Sequence, residues 1–400
     1  MATLTFSDLR FSMEKENISV TFLTLFSFTI EKENVERIGS FSVNEGSITF
    51  DGVSEQRATH KFNQLLYEGF QQLKNKMNGK PTVYVHKHSG IPLIGHIAFG
   101  IIDRDTSIIE VKPITSCNIE CTYCSVDEDK RPIDFVVEKD YLVEELRTVV
   151  ALKKSDTVEI NIGTQGEPFL YAPLVDLIAD ISKIPKIQTI SVNTNGTFLT
   201  EHLIEKLADA GLTRINLSVN AMDDQKAREI AASPRYNIQY IKKIIPLIQK
   251  KLDLLIAPVW IPGVNDDEIP KIIEFCQSLD PKPRVMIQNF LNYKYGRNPV
   301  KAASWDEFED KLHQWENKFH IQLRYDMNEA FHVQKDMVLP NPLKKGDVIK
   351  AEIIGPGRLH GESIGVSHNR AISVRGLIPK GQMKVRVTKV KDHLCYAEAL

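Results

Sequence analysis

Apolar and polar residues alternate in two early stretches of the chain, residues 18–30 and 38–50, with a turn at 44–46. A period of two is typical of strands that bury one face. Apolar residues then recur at helical spacing from about residue 56 to 76, which predicts a helix. Residues 1–96 are therefore expected to form a small α+β cap, in which we identify no chemistry.

The pattern changes after residue 97 to short β-branched runs that alternate with amphipathic helical stretches. The predicted strands are 108–111, 158–162, 189–193, 214–219, 254–259 and 285–289. The predicted helices are 141–152, 174–181, 203–208, 238–247 and 269–279. Alternating β and α elements favour a parallel sheet with right-handed crossovers. The expected fold class is α/β, with a partial (β/α)6 barrel over residues 97–336.

The last part of the chain contains short strand-like runs punctuated by glycines, which predicts a small OB-like β-barrel over 345–400 after a linker at 337–344. Residues 341–400 hold eleven Lys and Arg against five Asp and Glu, a charge of +6, which leaves −8 on the rest of a chain of net charge −2. Such a split indicates a polyanionic partner for this end.

The composition of the whole chain is that of an ordinary globular protein. Its 400 residues are 42% apolar and 26% charged, and this length predicts two or three domains. The apolar run at 20–28 is too short to span a bilayer, and the N-terminus lacks the apolar core of a signal peptide. Five cysteines, three of them in one loop, argue against a disulfide framework. We expect a cytoplasmic protein without a membrane partner.

Three cysteines, Cys117, Cys121 and Cys124, follow the first predicted barrel strand with the spacing C-x-x-x-C-x-x-C. One loop of this kind offers three thiolates to a single inorganic core, whereas tetrahedral zinc and ordinary iron–sulfur clusters have four ligands. A cluster with three protein ligands leaves one iron open to a small molecule. The loop is therefore interpreted as a catalytic centre at the carboxyl edge of the sheet, where ligands bind.

The alternative is a structural zinc site completed by His86, His88 or His96. Zinc motifs usually contain two separated pairs of ligands, and the sequence has no second pair. Cys276 and Cys395 are expected to be buried structural thiols. Since two cysteines cannot hold a second four-thiolate cluster, a single cluster is predicted.

The second predicted barrel strand leads into a glycine-containing loop at 163–168 that ends in Gly166, Glu167 and Pro168. Glycine permits close approach of a ligand to the backbone, and a fixed carboxylate can accept hydrogen bonds from an ammonium group. Taken alone, the loop could also be a turn with a solvated glutamate.

Together the cysteine loop and the glycine–glutamate loop resemble the radical S-adenosylmethionine (SAM) superfamily over about residues 108–290. The resemblance implies that Cys117, Cys121 and Cys124 hold one [4Fe-4S] cluster, whose fourth iron chelates the amino and carboxylate groups of SAM. It implies that Glu167, preceded by Gly166, receives the methionyl ammonium. Gln165 stands where the family usually has its first glycine.

The same resemblance implies further contacts with SAM. Tyr123 would lie beside the adenine, and the backbone around Val264 would pack against it. Two further motifs of the family are matched, its N-T-N-G turn at 193–196 and its S-L-D-A strand at 218–221. Their polar residues would approach the methionyl and ribose groups: Asn193, Thr194, Asn195 and Ser218. A plain Asn-Gly turn remains an alternative for the first three of these. Asn220 stands where the family often has aspartate.

The resemblance also implies the chemistry. An electron donor such as ferredoxin or flavodoxin reduces the cluster. The reduced cluster then cleaves SAM and yields a 5′-deoxyadenosyl radical that attacks unactivated C–H bonds. The loop after the sixth predicted strand places four residues at the barrel mouth: Tyr293, Lys294, Tyr295 and Arg297. Aromatic faces with cations suit a nucleotide or another planar anion, although a solvated polar loop is the alternative.

Residues 345–400 resemble the TRAM domain, a small OB-like barrel attached to several RNA-modifying enzymes. Seven cations of this region are candidates for phosphate contacts: Lys345, Arg358, Arg370, Arg375, Lys380, Lys384 and Lys389. Because only Tyr396 is aromatic there, little sequence preference is expected. An inert barrel with a solvated charged face is the alternative.

The sequence thus predicts a radical SAM enzyme that modifies RNA, with tRNA as the expected substrate and no role for DNA. One alternative is radical chemistry on a peptide or small metabolite. Another is an RNA-binding redox sensor without catalytic activity.

Overall fold

A computed structural model describes residues 1–163, 165–337 and 339–400. The N-terminal region contains eight of its strands: β1 (Ala2–Thr5), β2 (Leu9–Glu14), β3 (Asn17–Phe22), β4 (Phe26–Glu31), β5 (Phe41–Asn44), β6 (Ser47–Phe50), β7 (Lys74–Asn75) and β8 (Thr82–Val85). Its helices are α1 (Lys32–Glu36) and α2 (Glu55–Phe70). Seven of these strands form two antiparallel sheets, β1-β6-β5 and β2-β3-β4-β7, and β8 pairs parallel with the later strand β11 (Asp134–Val137). The predicted α+β character is confirmed. Helix α2 ends at Phe70, earlier than predicted, because the chain then turns into β7.

The middle of the chain forms a seven-stranded sheet. The strands of this region are β9 (Gly100–Asp103), β10 (Ile108–Lys112), β11 (Asp134–Val137), β12 (Val158–Ile162), β13 (Ile187–Thr194), β14 (Arg214–Leu217), β15 (Asp253–Ile256), β16 (Val259–Trp260), β17 (Arg284–Val285) and β18 (Gln288–Asn289). All of them except β11, β16 and β18 belong to the seven-stranded sheet. The order is β17-β15-β14-β13-β12-β10-β9. The six strands from β10 to β17 run parallel in chain order, and β9 pairs antiparallel to β10 at the edge.

Helices cross between these strands, as expected for a parallel sheet. They are α3 (Lys139–Leu152), α4 (Leu174–Ile181), α5 (Glu201–Asp209), α6 (Asp224–Ala231), α7 (Ile238–Gln249) and α8 (Glu268–Gln277). Two more helices, α9 (Trp305–Phe319) and α10 (Met327–Phe331), follow β18. The five predicted helices are confirmed, whereas α6, α9 and α10 were not predicted. Helix α9 buries Phe308, Leu312 and Trp315, a spacing that is itself helical. None of the described helices is long and apolar enough to cross a membrane.

The fifth and sixth predicted strands are each divided in two. Pro258 has no N–H to donate to a ladder and lies two residues after Ile256, the buried end of β15. Pairing resumes beyond it between β16 and β18. Backbone bonds from Met286 to Ile256 (2.9 Å) and from Gln288 to Pro258 (2.8 Å) carry the contact across the break.

Residues 339–400 contain five strands that close into a barrel: β19 (Val348–Pro356), β20 (Glu362–Ser367), β21 (Arg370–Arg375), β22 (Gly381–Lys391) and β23 (Leu394–Ala399). Their order is β19-β20-β21-β23-β22, in which only the described pair β21 and β23 is parallel. A closed five-stranded barrel is consistent with the predicted OB-like fold. Cys395 lies in its core, as predicted for a structural thiol.

The C-terminal barrel docks on the segment that precedes β9. Ala371 donates its N–H to the Ile94 carbonyl (2.9 Å), and Cys395 donates to the Gly95 carbonyl (2.9 Å). A Cβ atom on Gly95, whose φ is +118°, would lie 2.1 Å from the Ala371 oxygen. Only glycine therefore permits this contact between the two regions.

Side-chain contacts reinforce this interface. Arg104 pairs with Asp392 at 2.9 Å, and His393 Nε2 lies 3.0 Å from Asp105.

The predicted linker, 337–344, includes Val338, which lies outside the described residues. The domain boundaries named above remain predictions.

Candidate functional site

The six parallel strands share one cavity of about 630 Å³. Residues of β10, β12, β13, β14 and β15 line it, as does Met286 directly after β17. Alternate residues face it, for example Glu159 and Asn161 of β12, while Ile160 between them is fully buried. One face of the sheet therefore lines the cavity across five neighbouring strands, β10, β12, β13, β14 and β15.

Cys117, Cys121 and Cys124 lie in the loop after β10, and all three line this cavity. The loop is fixed to the end of α6, where Thr122 donates its N–H to the Ile230 carbonyl at 2.9 Å. The structure thus brings the three predicted ligands together at the carboxyl edge of the sheet.

Burial raises the pKa of all three thiols, that of Cys121 to about 12. Thiolates in this position therefore need a positively charged core, which iron can supply. The three sulfur atoms do not all lie within 4.8 Å of one another in the described structure, although a zinc ion would hold each at about 2.3 Å. No histidine is found among the described residues that line the cavity. The donor set fits a cluster better than a zinc ion.

A buried polar network supports the base of the cysteine loop. Asp134 accepts hydrogen bonds from Thr115 Oγ1 (3.1 Å), Ser116 Oγ (2.9 Å) and Asn75 Nδ2 (2.8 Å). It also pairs with Arg131 at 2.7 Å, and both side chains are fully buried. Asn75 belongs to β7, so the N-terminal cap contributes to the site, which the sequence did not indicate.

Glu167 lies in the same cavity and is only 2% exposed. Its carboxylate accepts hydrogen bonds from Thr194 Oγ1 (2.8 Å), Asn195 N (2.9 Å) and Phe169 N (3.2 Å). Burial raises the pKa of Glu167 to about 7, although these three donors act in the opposite direction. A cationic ligand would supply the missing stabilisation of the charged form.

Gly166 lines the cavity and also packs closely against the backbone of the cysteine loop. A Cβ atom there would lie 2.3 Å from the Ser116 carbonyl oxygen, so its close neighbour is the backbone that precedes the first cysteine. Glu167 N donates to the same oxygen at 2.9 Å. The Gln165 carbonyl accepts from Arg131 at 3.3 Å. The two motif loops are thus joined directly, and Thr164 between β12 and this contact lies outside the described residues.

Asn193, Thr194 and Asn195, the three polar residues at the end of β13, make different contacts. Thr194 and Asn195 hold Glu167, and Asn195 Nδ2 also donates to Asn118 in the cysteine loop at 2.9 Å. Asn193 lies deeper, where its amide donates to Asn161 Oδ1 at 2.8 Å. The motif therefore connects the upper part of the cavity to its interior.

Tyr123 and Ser218 both line the cavity. Asn220 Nδ2 donates to the Tyr123 hydroxyl (2.7 Å), and its Oδ1 accepts from Val259 N (2.8 Å), so Asn220 positions the tyrosine. Val264 lies in a neighbouring groove with acidic residues and is not among the described residues that line the cavity.

The four candidates of the loop after β18 do not act as one group. Tyr293 and Arg297 line the cavity. Lys294 lies 5.0 Å from the centroid of the Tyr295 ring, and both side chains are exposed.

Arg297 is committed to the cysteine loop. Its N–H donates to the Cys124 carbonyl at 2.8 Å, and its guanidinium pairs with Asp127 (3.4 Å) and Asp129 (3.2 Å) and donates to the Glu120 carbonyl. These contacts hold the cysteine loop in place. Because carboxylates already neutralise the guanidinium, Arg297 is poorly suited to bind an anionic substrate group.

The seven basic candidates of the C-terminal barrel divide by exposure. Five are exposed: Lys345, Arg375, Lys380, Lys384 and Lys389. Arg370 is half-buried and donates to the Pro340 carbonyl at 2.7 Å. Arg358 is only 8% exposed, so it does not belong to the same surface, because its burial separates it from solvent.

Sequence reasoning missed the polar interior of the cavity. Glu159, Asn161, Arg214 and Asn216 line it, yet only the apolar character of their strands was used. The available signal was a polar residue at every second position of strands that helices cover.

Residues 111–276 match the Radical SAM superfamily. An uncharacterized protein of Methanocaldococcus jannaschii is 36% identical over 371 residues, which cover 84% of each chain. GTP 3′,8-cyclase of Listeria monocytogenes serotype 4b is 31% identical over 208 residues, which cover 50% of this chain and 57% of the cyclase.

Among solved structures, the crystal structure of Streptococcus suis SuiB has a TM-score of 0.43 at 14% identity and covers 81% of this chain and 72% of that one. A likeness of this size is too loose to bear on fold or function.

Proposed function

This chain belongs to the radical SAM superfamily, and on that premise we propose that it modifies RNA by radical chemistry in the cavity beside the cysteine loop. The superfamily uses a [4Fe-4S] cluster and SAM, and its members are enzymes that need a reductant. When bound, the cluster supplies one electron to the SAM sulfonium, which breaks a C–S bond and yields methionine and a 5′-deoxyadenosyl radical. The expected reductant is a ferredoxin or flavodoxin.

The proposed SAM site is supported by one observation: the buried carboxylate of Glu167 lies in the same cavity as the three thiols. Its described hydrogen-bond donors are neutral, so an ammonium would be its first cationic partner. Thr194 and Asn195 fix the carboxylate, and Tyr123 offers an aromatic face for an adenine. Cys117, Cys121 and Cys124 would hold the cluster in this arrangement.

The cavity shared by neighbouring parallel strands supports the assignment of this region as a partial (β/α)6 barrel, which would exclude water from a radical. Residues of β10, β12, β13, β14 and β15, and Met286 after β17, face one cavity. A single cluster is proposed, because Cys276 lies buried in α8 and Cys395 in the barrel core.

The RNA substrate rests on the C-terminal barrel, which we propose is a TRAM-like domain. Five exposed cations on a closed OB-like barrel favour phosphate contacts with little base preference. The barrel is fixed to the segment before β9 by backbone hydrogen bonds, so bound RNA would be held at a constant distance from the cavity. We expect tRNA as the substrate and no interaction with DNA.

A free nucleotide is the second candidate substrate, favoured by the identity of 31% with a GTP 3′,8-cyclase over half of this chain. A peptide remains a third possibility that the same experiments would reveal. A non-catalytic redox sensor is disfavoured, because members of the superfamily are enzymes.

The first test is anoxic incubation of the reconstituted full chain with SAM and a reductant. Formation of 5′-deoxyadenosine, and a change in the electron paramagnetic resonance signal when SAM is added, are the expected results. Absence of both from protein that contains a full complement of iron would contradict the proposal.

The second test compares modified nucleosides in RNA from cells with and without the gene by mass spectrometry. Loss of a single modified nucleoside, restored by the wild-type gene and not by a Cys121→Ser variant, supports the RNA substrate. Identical nucleoside profiles would exclude it and favour a free nucleotide or peptide.

A further inference from the structure

Three asparagines from three neighbouring strands lie side by side in the cavity, below the SAM-binding region proposed above. They are Asn161 of β12, Asn193 of β13 and Asn216 of β14. Asn193 and Asn216 are register partners in the sheet. Asn216 is 8% exposed, and the other two are half-buried.

Hydrogen bonds give these amides a fixed order. Asn216 Nδ2 donates to Asn193 Oδ1 (2.8 Å), and Asn193 Nδ2 donates to Asn161 Oδ1 (2.8 Å). Asn161 Nδ2 donates to Ser191 Oγ (2.8 Å), which donates to Glu159 Oε1 (2.8 Å).

Arg214 joins the two ends of this chain of hydrogen bonds, Asn216 and Glu159. Its Nε donates to Asn216 Oδ1 at 3.0 Å, and its Nη2 donates to Glu159 Oε1. The guanidinium also lies 4.8 Å from the centroid of the Phe331 ring. Glu159, Ser191 and Arg214 therefore orient the three amides; this closed set of six residues is called the amide ring below.

The amide ring leaves hydrogen-bonding groups for a ligand. An asparagine has two N–H donors and a carbonyl oxygen with two lone pairs. In the described structure one N–H of Asn193 and one of Asn216 are not used by the ring, and the oxygens of Asn161 and Asn216 each accept one bond. A preoriented row of donors and acceptors recognises a ligand with a fixed polar edge.

The charges around the ring disfavour an anionic group at this depth. The acidic residues that line the cavity are Glu110, Glu120, Glu128, Glu159 and Glu167, and the basic ones are Arg214 and Arg297. Within the described lining, both cations are already paired with carboxylates. A phosphate, or the carboxylate of a free amino acid, would lack a counter-charge here.

We propose that the amide ring binds the polar edge of a nucleobase. This inference rests on the radical SAM function proposed above. The nucleobase would be the part of the substrate that lies at the site of reaction. Amide side chains pair with the donor and acceptor edges of bases, and enzymes that act on a base read it in this way after removing it from the stack. The phosphates of the same substrate would remain at the mouth or on the C-terminal barrel. The base could belong to a free nucleotide or to RNA.

The test uses the full chain with its cluster, saturated with SAM and without reductant, so that no turnover occurs. Calorimetric titration with adenosine, guanosine, cytidine and uridine, and with a short single-stranded RNA, is expected to find saturable binding. Binding of a free nucleoside identifies a small-molecule source, and binding of the RNA alone identifies a base within a polynucleotide. Binding of none of these probes would overturn the inference.

Three variants locate the contact. Asn193→Asp and Asn216→Asp keep the shape of the side chain and replace N–H donors by acceptors, so each is expected to weaken binding of the preferred base tenfold or more. Asn193→Ala should show the same loss without an added charge. Asn237→Asp, at the start of α7 and outside the cavity, is the matched control, because aspartate also caps helices well. Wild-type binding by all three cavity variants would overturn the inference.

Failure of the inference and failure of the proposed function give different results. Formation of 5′-deoxyadenosine from SAM and reductant alone tests the function. If it occurs while no nucleobase binds, only the nucleobase inference is wrong. If it does not occur, the function itself is wrong.

Discussion

The cysteine loop and the basic surface of the C-terminal barrel differ in how their functional residues are held. Around the loop, Glu167 has three hydrogen-bond donors and Arg297 clamps the backbone of Cys124. On the barrel, Lys380 and Lys384 are exposed. Function in the first region therefore depends on the position of each group, and in the second on summed charge. Single substitutions should have large effects in the first region and small ones in the second.

The sharpest contrast is expected for the cluster ligands. Cys121→Ser should lower bound iron about tenfold or more and remove formation of 5′-deoxyadenosine, because one of three protein ligands is lost. Cys276→Ser, in α8, is the control and should retain both iron and activity. Iron content and product are measured by colorimetric assay and mass spectrometry. Normal iron in Cys121→Ser would contradict the role assigned to this loop.

A buried ion pair under the loop provides the next largest effect. Arg131→Met leaves the fully buried carboxylate of Asp134 without its cation and should lower the free energy of unfolding by about 3–5 kcal/mol. Lys87→Met breaks an exposed pair with Glu144 and should cost less than about 1 kcal/mol. Chemical denaturation of the cluster-free protein measures both. Equal losses would show that burial does not distinguish the two pairs.

Glu167 should have an intermediate effect that depends on pH. Glu167→Gln removes the charge that receives the ammonium and should weaken SAM binding about tenfold to a hundredfold, since hydrogen bonds to charged groups contribute about 1.5–3 kcal/mol. The pKa of Glu167 is raised to about 7, so the carboxyl is ionised above this pH and neutral below it. Wild-type affinity should therefore fall as the pH drops through about 7.

Calorimetry across this pH range checks the prediction. The Gln variant cannot titrate, so its affinity should vary less with pH than that of the wild type. A wild-type affinity that rises at lower pH would contradict the ammonium contact.

The basic surface should show the smallest effect for each residue. Replacement of Lys380, Lys384 and Lys389 by alanine should weaken RNA binding several-fold and lower the slope of log K against log salt by about 2, because each phosphate contact on a single strand contributes about 0.7. Activity on a free nucleoside should not change. Loss of SAM cleavage in this variant would show that the two regions are coupled, which their separate contacts do not predict.

The sequence determined the parts of this protein that local patterns encode. Cysteine spacing indicated the cluster loop, and the alternation of β-branched runs with amphipathic helices predicted the parallel sheet. Glycines and short strand-like runs predicted the C-terminal barrel. Each of these signals lies within a short window, because periodicity and turn chemistry act between near neighbours.

Only the tertiary structure decided which residues meet across the chain. Asn75 reaches the base of the cysteine loop from the N-terminal cap, Gly166 packs on the backbone of Ser116, and Arg358 is buried although it counts as a surface cation by composition. The amide ring joins side chains of three strands by their register. Such contacts depend on strand pairing and on packing between distant segments, and these are fixed when the whole core is assembled.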